Sequence, residues 1–520
     1  MSSVIRSAFT VGGFIIFSRL FGFLRECTMV FVLGAGVYTD ALVVALKLAN
    51  TFRRIFAEGA FNASFLPRFS KILNSEGRPA ANVVLSEIFS FLLFAVALFS
   101  LVVITFFPQI LSIMVLGFDV LSEKFAVAAS LGRICFPYLI FISISSLFSG
   151  VLNTLNKFAL PSAVFSLLSI FSISGLVFGY LTGASHFMTV HVIAVLVLCS
   201  GTTQTLILLL AIKRQGFFLR IKFACWSPKV KDIVINMIPG VIAAGVWQLN
   251  LLVDTTMSSY LPTGSITCIS LADRLNQFPL GTLGIAVSTA LLPLLSKCMV
   301  SGNHELASRE LLRGLLFSMF FIIFTTTMLM VLAEPIVSVI YQRGLFGVDH
   351  VRTTADAVIG FSFGLPAYVL TKLFSTIYFA SEDTVTPVIF AIISVLINVM
   401  LLCLLIPFLK YLGVALCTSL SSIFNALMLI CFSGKKLKID ISKNFIYKIL
   451  AQIGAAAATY MVLDVMSRRF WTSELGALSQ KYIVVALMFS VGWCVFFFST
   501  VLLMKLMKHD HWKLWEKSAW

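Results

Sequence analysis

Charge is what this chain has least of. Asp, Glu, Lys and Arg make up 12% of its 520 residues, against about 25% in soluble domains. Acid is the scarcer sign, with 22 Asp and Glu against 38 Lys and Arg and a net charge of +16. That shortage excludes an ordinary soluble domain. Motifs that announce chemistry are missing as well. The ten cysteines form no C-x-x-C and fall mostly in apolar segments, so they read as small buried hydrophobes. The six histidines are scattered without metal-ligand spacing. Neither a P-loop nor G-x-S-x-G nor a D-x-x-D cluster occurs, which leaves no catalytic constellation to place.

Long apolar runs fill the space that charge leaves. Hydrophobic residues are 59% of the chain and the mean hydropathy is +1.01. A spanning helix needs about 20 apolar residues, and by that measure there are roughly 14 segments. They lie near 8–33, 40–66, 86–108, 126–151, 161–182, 188–212, 233–258, 265–295, 311–341, 354–379, 386–408, 411–433, 446–465 and 482–507. The runs are too long and continuous for a β-barrel, whose strands alternate over about ten residues. An all-α polytopic membrane protein is the expectation. The first segment is too long for a signal peptide and has no small-residue cleavage site after it, so it counts as structure.

The surplus of base follows topology. Lys71, Arg78, Lys157, Lys213, Arg214, Arg220, Lys222, Lys297, Arg309, Arg313, Lys435 and Lys436 all fall in even-numbered loops, and Lys505, Lys508, Lys513 and Lys517 in the tail. Odd-numbered loops hold few bases. The positive-inside rule therefore puts both termini in the cytoplasm and removes nucleic acid as a partner. Trp512, Trp515 and Trp520 among the tail lysines read as an interfacial amphipathic segment.

The chain also repeats itself. Residues 66–71, LPRFSK, return as LPLLSK at 292–297; LFSGVLNTLNKFALP at 147–161 returns as LFSTIYFASEDTVTP at 373–387. Ile110-Leu-Ser-Ile-Met answers Ile336-Val-Ser-Val-Ile. All three pairs are offset by 226 positions. Helices 1–6 (residues 1–226) and 7–12 (227–440) thus read as two parallel repeats, or lobes, with two extra helices and the tail in 441–520. Transporters are often built from such repeats, with the substrate site between the halves. The turns LNKFALP and SEDTVTP are expected to be capped by Ser or Thr, with Pro near the next helix start. LGAG at 33–36 and GTLG at 281–284 are either flexible points or sites of helix termination and close packing.

Charged side chains nevertheless interrupt the apolar runs. FSRLFGFLRE at 17–26 carries Ser18, Arg19, Arg25 and Glu26. KLANTFRRIFAEGAFN at 47–62 sets Lys47, Asn50, Arg54, Glu58 and Asn62 on one helical stripe, with Arg53 beside it. LADRLNQF at 271–278 carries Asp273, Arg274 and Gln277, and Asp254 stands alone in LNLLVDTT. Each charge costs about 2.5–3.5 kcal/mol at mid-membrane unless it faces water or a partner. Pairing such as Arg54 with Glu58 offsets part of that. Asp40, after GAGVYT, is placed either to cap a helix or to join the acids. Six bases against four acids leave the set cationic, which suits an anionic substrate, and arginine's fork suits phosphate oxygens.

These stretches, with GAGVYTDALVVALKLANTFRRIFAEGAFNASFLP, ADRLNQFPLGTLGIAVSTALLPLLSK and YQRGLF, resemble the MurJ (MviN) family of bacterial lipid II flippases over essentially the whole chain. The resemblance implies a member of the multidrug/oligosaccharidyl-lipid/polysaccharide exporter superfamily. It further implies two six-helix lobes around a cationic cavity, a groove for the polyprenyl tail along the last two helices, and lipid II carried outward by alternating access for peptidoglycan synthesis. Arg19, Arg25, Arg53 and Arg274 match the family's transport arginines, with Arg54 and Lys47 beside them. Glu26, Asp40, Glu58 and Asp273 match its acids; Ser18 and Asn50 complete the polar set. Asp254, Asn398 and Thr418 stand where some members are thought to hold sodium. The second carboxylate expected about one turn after Asn398 is absent, Leu402 standing there. Membrane potential, Na+ or H+ remain the candidate driving forces; no cofactor is implied, and cell-wall synthesis machinery is a candidate partner. A flippase for another polyprenyl-diphosphate-linked saccharide, or a membrane enzyme acting on polyprenyl phosphates, is the competing reading.

Overall fold

The computed structural model describes residues 2–56, 59–222, 226–434, 436–438, 442–471 and 478–506. Among them the regular structure is all helix, without strand. The described residues of each of the roughly 14 apolar segments lie mainly in helix. The tail tryptophans, Glu58 and part of the basic 434–443 linker lie outside the described residues.

Nineteen α-helices follow in order. The first eleven are α1 (Ser2–Leu33), α2 (Val37–Phe56), α3 (Gly59–Ser75), α4 (Gly77–Thr105), α5 (Phe107–Met114), α6 (Glu123–Cys135), α7 (Tyr138–Thr154), α8 (Ala159–Val164), α9 (Leu167–Thr182), α10 (His186–Arg214) and α11 (Pro228–Ser258). Then come α12 (Ser265–Pro279), α13 (Ile285–Val300), α14 (His304–Val331), α15 (Ala333–Tyr341), α16 (Val348–Ala380), α17 (Val385–Ser433), α18 (Lys443–Phe470) and α19 (Leu478–Leu506). Counting α6 with α7 and α8 with α9, nine described helices are long and apolar enough to cross a membrane. The helices that carry Arg19, Lys47, Asp254 and Arg274 are not among those nine. Several helices open on a side-chain oxygen that accepts an otherwise orphaned N–H: Ser122 from Phe125 (3.2 Å), Ser185 from Met188 (3.2 Å) and Asn303 from Leu306 (3.1 Å).

The chain divides into two compact units, one of residues 1–267 with 343–346, the other of 268–342 with 347–520. The division differs from the repeat boundary read at 226, because α11 packs on α2 and α3 within the first unit. In that unit Phe52, Phe99, Phe107 and Phe136 pack ring against ring, the closest centroids 5.0 Å apart. The segment after α10 runs along α4 on a polar ladder. Asn82 exchanges two 2.9 Å hydrogen bonds with the Phe218 backbone, and the N–H groups of Arg220 and Lys222 donate to Ser86 (3.3 Å) and Ser90 (2.9 Å). Those acceptors recur every four residues, one per turn of α4.

In the second unit α14, α18 and α19 share an aromatic core of Phe320, Phe324, Leu463, Met488 and Phe496, with Trp493 against Phe324 at 4.8 Å. α16 meets α17 through small residues. A Cβ on Gly360 would lie 2.6 Å from that of Ala415, and one on Gly364 only 2.8 Å from that of Ser419. Ser419 Oγ donates to the Gly360 carbonyl (2.7 Å). This is the close approach that glycine four residues apart allows between helices in lipid. α17 contains both expected segments, 386–408 and 411–433, separated at Lys410, whose φ of 46° and ψ of −118° break the helix.

The 226-residue offset reappears in the backbone. Asn156 (φ 58°) and Glu382 (φ 59°) are left-handed residues at equivalent positions. Around each, the same bonds close the helix end: Lys157 N–H to Leu152 (2.9 Å), and Asp383 N–H to Tyr378 (2.9 Å). Helix breaks match too, Phe106 at φ −96° and Leu332 at φ −100°. A local duplication of conformation at one fixed offset is what gene-level repetition leaves behind when side chains diverge. The caps differ from expectation: at 381–387 it is Asp383, not Ser or Thr, that accepts from Thr386 N–H (3.0 Å), and no side chain caps α8. Asp383 also accepts from Thr386 Oγ1 (2.8 Å) and pairs with Lys436 (3.0 Å).

Candidate functional site

α1 brings Arg19, Arg25 and Glu26 into the first unit. Arg19 is exposed, Ser18 half-buried, and the Arg25 and Glu26 side chains are 22% and 17% exposed. Arg25 donates to Glu26 at 3.4 Å, a long bond between sequence neighbours that leaves most of the fork available. On α2, Lys47, Asn50, Arg53 and Arg54 are half-buried, and Arg53 Nε donates to Asn50 Oδ1 (3.2 Å). The amide fixes the direction of the guanidinium plane. Glu58, the expected partner of Arg54, lies outside the described residues, as does the Asn62 side chain.

α12 carries the counterpart in the second unit. Asp273 and Arg274 are half-buried, and Asp273 accepts from Gln277 one turn on. Asn276, which the sequence reading passed over, sets their position. It is 4% exposed, donates to Ala272 (3.1 Å) and Val358 (3.5 Å), and accepts from Ser362 (3.0 Å). Those bonds fix α12 against α16. A lone Asn in an apolar segment facing a Ser 86 positions away carries no sequence signal that pairs the two. The helix then passes through five residues of π-helix, Leu280–Gly284. GTLG is therefore a register change within a continuous helix, a form that clusters at functional sites. LGAG does end a helix: Gly34 takes φ 67°, its N–H bonding to Val30 (3.0 Å).

Asp40 does not cap its own helix; its carboxylate accepts N–H groups at the start of α12. It sits inside α2, fully buried, and receives four donors: Lys124 Nζ (2.6 Å), Gly264 N–H (2.8 Å), Thr267 N–H (2.9 Å) and Thr267 Oγ1 (2.6 Å). One carboxylate thus ties the starts of α2, α6 and α12 within the first unit. Lys124 also lies over the Phe118 ring (4.3 Å), and Tyr38 donates to Glu123 (2.6 Å). Beside this knot opens a cavity of about 350 Å³ lined by Val37, Phe118, Asp119, Glu123, Lys124 and Thr263. Lys124 is one of the few bases of the odd-numbered loops, and its role depends on Asp40, 84 positions away, which no local pattern shows.

Asp254 (8% exposed) belongs to the first unit; Asn398 (0%) and Thr418 (8%) lie in the second, on either side of the Lys410 break. Ser394 Oγ donates to the Ser421 carbonyl (2.8 Å), joining the two halves of α17 next to them. Leu402 is fully buried. Among the described residues no three His, Cys, Asp or Glu side chains gather as metal ligands would.

A family model described as "Lipid II flippase MurJ" matches residues 29–490. The chain belongs to the MurJ family of lipid II flippases. It is 32% identical over 523 residues to a "Probable lipid II flippase MurJ" of Rickettsia prowazekii, with 98% of this chain and 99% of that protein covered. A protein of the same description from Rhizobium meliloti is also 32% identical, over 95% of this chain and 93% of its own length. Among solved structures, a lipid II flippase MurJ in an inward closed conformation superposes with a TM-score of 0.77 at 24% identity, covering 96% and 99% of the two chains. An inward-facing multidrug resistance MATE transporter of the MOP superfamily reaches 0.70 at 12% identity, covering 80% and 94%. These structural likenesses establish the fold. MurJ membership makes the chain a transporter and not an enzyme.

Proposed function

We propose that this chain carries lipid II from the cytoplasmic to the periplasmic leaflet of the bacterial inner membrane, with both termini in the cytoplasm, and that its arginines bind the diphosphate. The observation that carries the reading is the surplus of cations on otherwise apolar helices: Arg19, Arg25, Arg53 and Arg274, with Lys47 and Arg54 alongside. A cation in lipid costs about 2.5–3.5 kcal/mol, which an anionic head group offsets by charge-assisted, bidentate hydrogen bonds. Arg25 is paired with Glu26 only at 3.4 Å, and Arg53 is turned by the Asn50 amide, so each fork is oriented by a neighbour close in sequence.

The mechanism needs no covalent step. Lipid II enters with its diphosphate on the arginines and its polyprenyl tail in lipid along α18 and α19. The two lobes then exchange access from one face to the other about the bound diphosphate. Enzymes that polymerise peptidoglycan consume the product at the outer face. Membrane potential or a proton drives the cycle ahead of sodium, because the carboxylate a sodium site would need is replaced by the buried Leu402.

The test is complementation in bacteria depleted of their own flippase, with lipid II at the outer leaflet read by a toxin that cleaves only externally exposed lipid II. Wild-type chain restores cleavage; Arg19→Ala, Arg25→Ala, Arg53→Ala and Arg274→Ala, at matched protein levels, do not. Alanine variants as active as wild type would make the arginines structural. A well-expressed wild-type chain that fails would point to a different polyprenyl-linked substrate.

A further inference from the structure

The start of α19 holds a lysine that the transport reading does not use. Lys481 is 9% exposed. Its Nζ donates to Gln342 Oε1 (3.0 Å) and Ser338 Oγ (3.4 Å), both at the C-terminal end of α15, and stands over the Trp471 ring at 5.8 Å. Ser338 Oγ in turn donates to Gln342 Oε1. The ammonium has three protons, and two neutral oxygens take two of them. Among the described residues no carboxylate comes within ion-pairing distance of it. Trp471 contributes a second unmet donor: its Nε1 is buried and has no hydrogen-bond partner among the described residues.

Two donors therefore share a buried place where the ends of α15, α18 and α19 meet, with no counter-charge among the described residues; Glu474, in the 472–477 segment, lies outside them. The partial charge of the α15 C-terminus favours a cation there, and this accounts for the lysine's preference for that end. It does not account for the indole N–H, which a helix C-terminus has no reason to leave unbonded. A buried ammonium and a buried N–H together call for an anion that accepts from both. Lys481 lies two residues into a helix long and apolar enough to cross the membrane. At such an end the abundant anion is the phosphate of a lipid head group.

We propose that Lys481 and Trp471 Nε1 form a binding site for a lipid phosphate, with Gln342 and Ser338 holding the ammonium in place. The proposal rests on the transport reading for its side of the membrane. Lys481 stands at the end of α19 opposite the basic Lys505, hence in the outer leaflet, where translocated lipid arrives. The phosphate belongs either to a polyprenyl diphosphate or to bulk anionic phospholipid; the chemistry is shared, and the probes separate them.

The experiment is native mass spectrometry of the full-length chain in detergent, titrated with undecaprenyl diphosphate, with phosphatidylglycerol, and with diacylglycerol, which lacks phosphate. Lys481→Gln keeps the length and polarity but removes the charge; it is expected to weaken binding of the phosphate lipids about tenfold and leave diacylglycerol unchanged. Lys481→Arg restores binding, and Trp471→Phe, which keeps the ring under the ammonium, weakens it by a smaller factor. A drop confined to undecaprenyl diphosphate assigns the site to the transported lipid; a drop for both assigns it to phospholipid. Equal binding of phosphate lipids by wild type, Lys481→Gln and Trp471→Phe would overturn the proposal. So would an equal loss for diacylglycerol, or an unchanged Trp471→Phe if Lys481→Gln does not fold. Binding is read on the purified chain, so a failure to expose lipid II in cells would count against the transport reading and not against this site.

Discussion

Removing the charge of Asp40 should loosen the first unit far more than any surface change. The carboxylate is fully buried and satisfied by four donors, one of them the nearly buried ammonium of Lys124 at 2.6 Å. Asp40→Asn keeps the shape but turns one oxygen into an NH2 group. One oxygen is shared by Lys124 and Gly264, the other by the two Thr267 donors. Whichever oxygen is replaced, the new NH2 points at two donors and Lys124 loses its counter-charge. Breaking a buried pair by removing one partner costs about 3–5 kcal/mol, and each hydrogen bond lost to a charged group about 1.5–3 kcal/mol. The contributions overlap, so the whole effect is placed at about 3–5 kcal/mol. The assay is reversible unfolding of the purified chain in mixed micelles of graded denaturing detergent. Lys124→Met is run alone and combined with Asp40→Asn, since the double variant removes both charges together and should recover part of the loss. A single-variant cost below about 1 kcal/mol, the level of an exposed ion pair, would refute the reasoning. So would strict additivity of the two substitutions, because residues in contact should couple.

Three further outcomes follow from the geometry. Asp383 lies outside the spanning helices, and the Thr386 backbone N–H, then the Thr386 hydroxyl and Lys436, hold its carboxyl down to about 2 from 3.8. A depressed carboxyl stabilises the fold above its unfolded value and loses that contribution as pH falls through the folded one. The stability gap between wild type and Asp383→Asn should therefore be full above about pH 4 and close between pH 3.8 and about 2. Gly364→Ala places a Cβ 2.8 Å from the Ser419 Cβ and 2.9 Å from its Cα; since backbone must yield, the expected cost is about 1–3 kcal/mol, and Ser419→Gly in the same chain should return part of it. Glu382→Gly, at φ 59°, should stabilise the chain by about 0.5–1 kcal/mol, while Asn156→Gly at the equivalent turn should gain less, because Asn tolerates the left-handed region better. Thermal unfolding of both variants side by side checks the ordering.

The apolar segments, the duplication and the charged stretches are all legible in the residue string, and for one reason: they are local or periodic. A run of about 20 apolar residues has no stable place but a membrane or a large core, and a fixed offset between LFSGVLNTLNKFALP and LFSTIYFASEDTVTP survives because both fold into the same left-handed turn. The family resemblance rests on contiguous stretches such as FSRLFGFLRE. What the string could not show are pairings across distance. Asp40 reads equally well as a cap or a cavity acid; its burial against Lys124, Gly264 and Thr267 decides the matter. Asn276 and Ser362, and Lys481 with Trp471 and Gln342, are ordinary residues until helices far apart in sequence pack and remove water from between them. Local composition sets which segments enter the membrane, whereas the partners of each buried polar group depend on which helices meet, and that is a property of the tertiary structure alone.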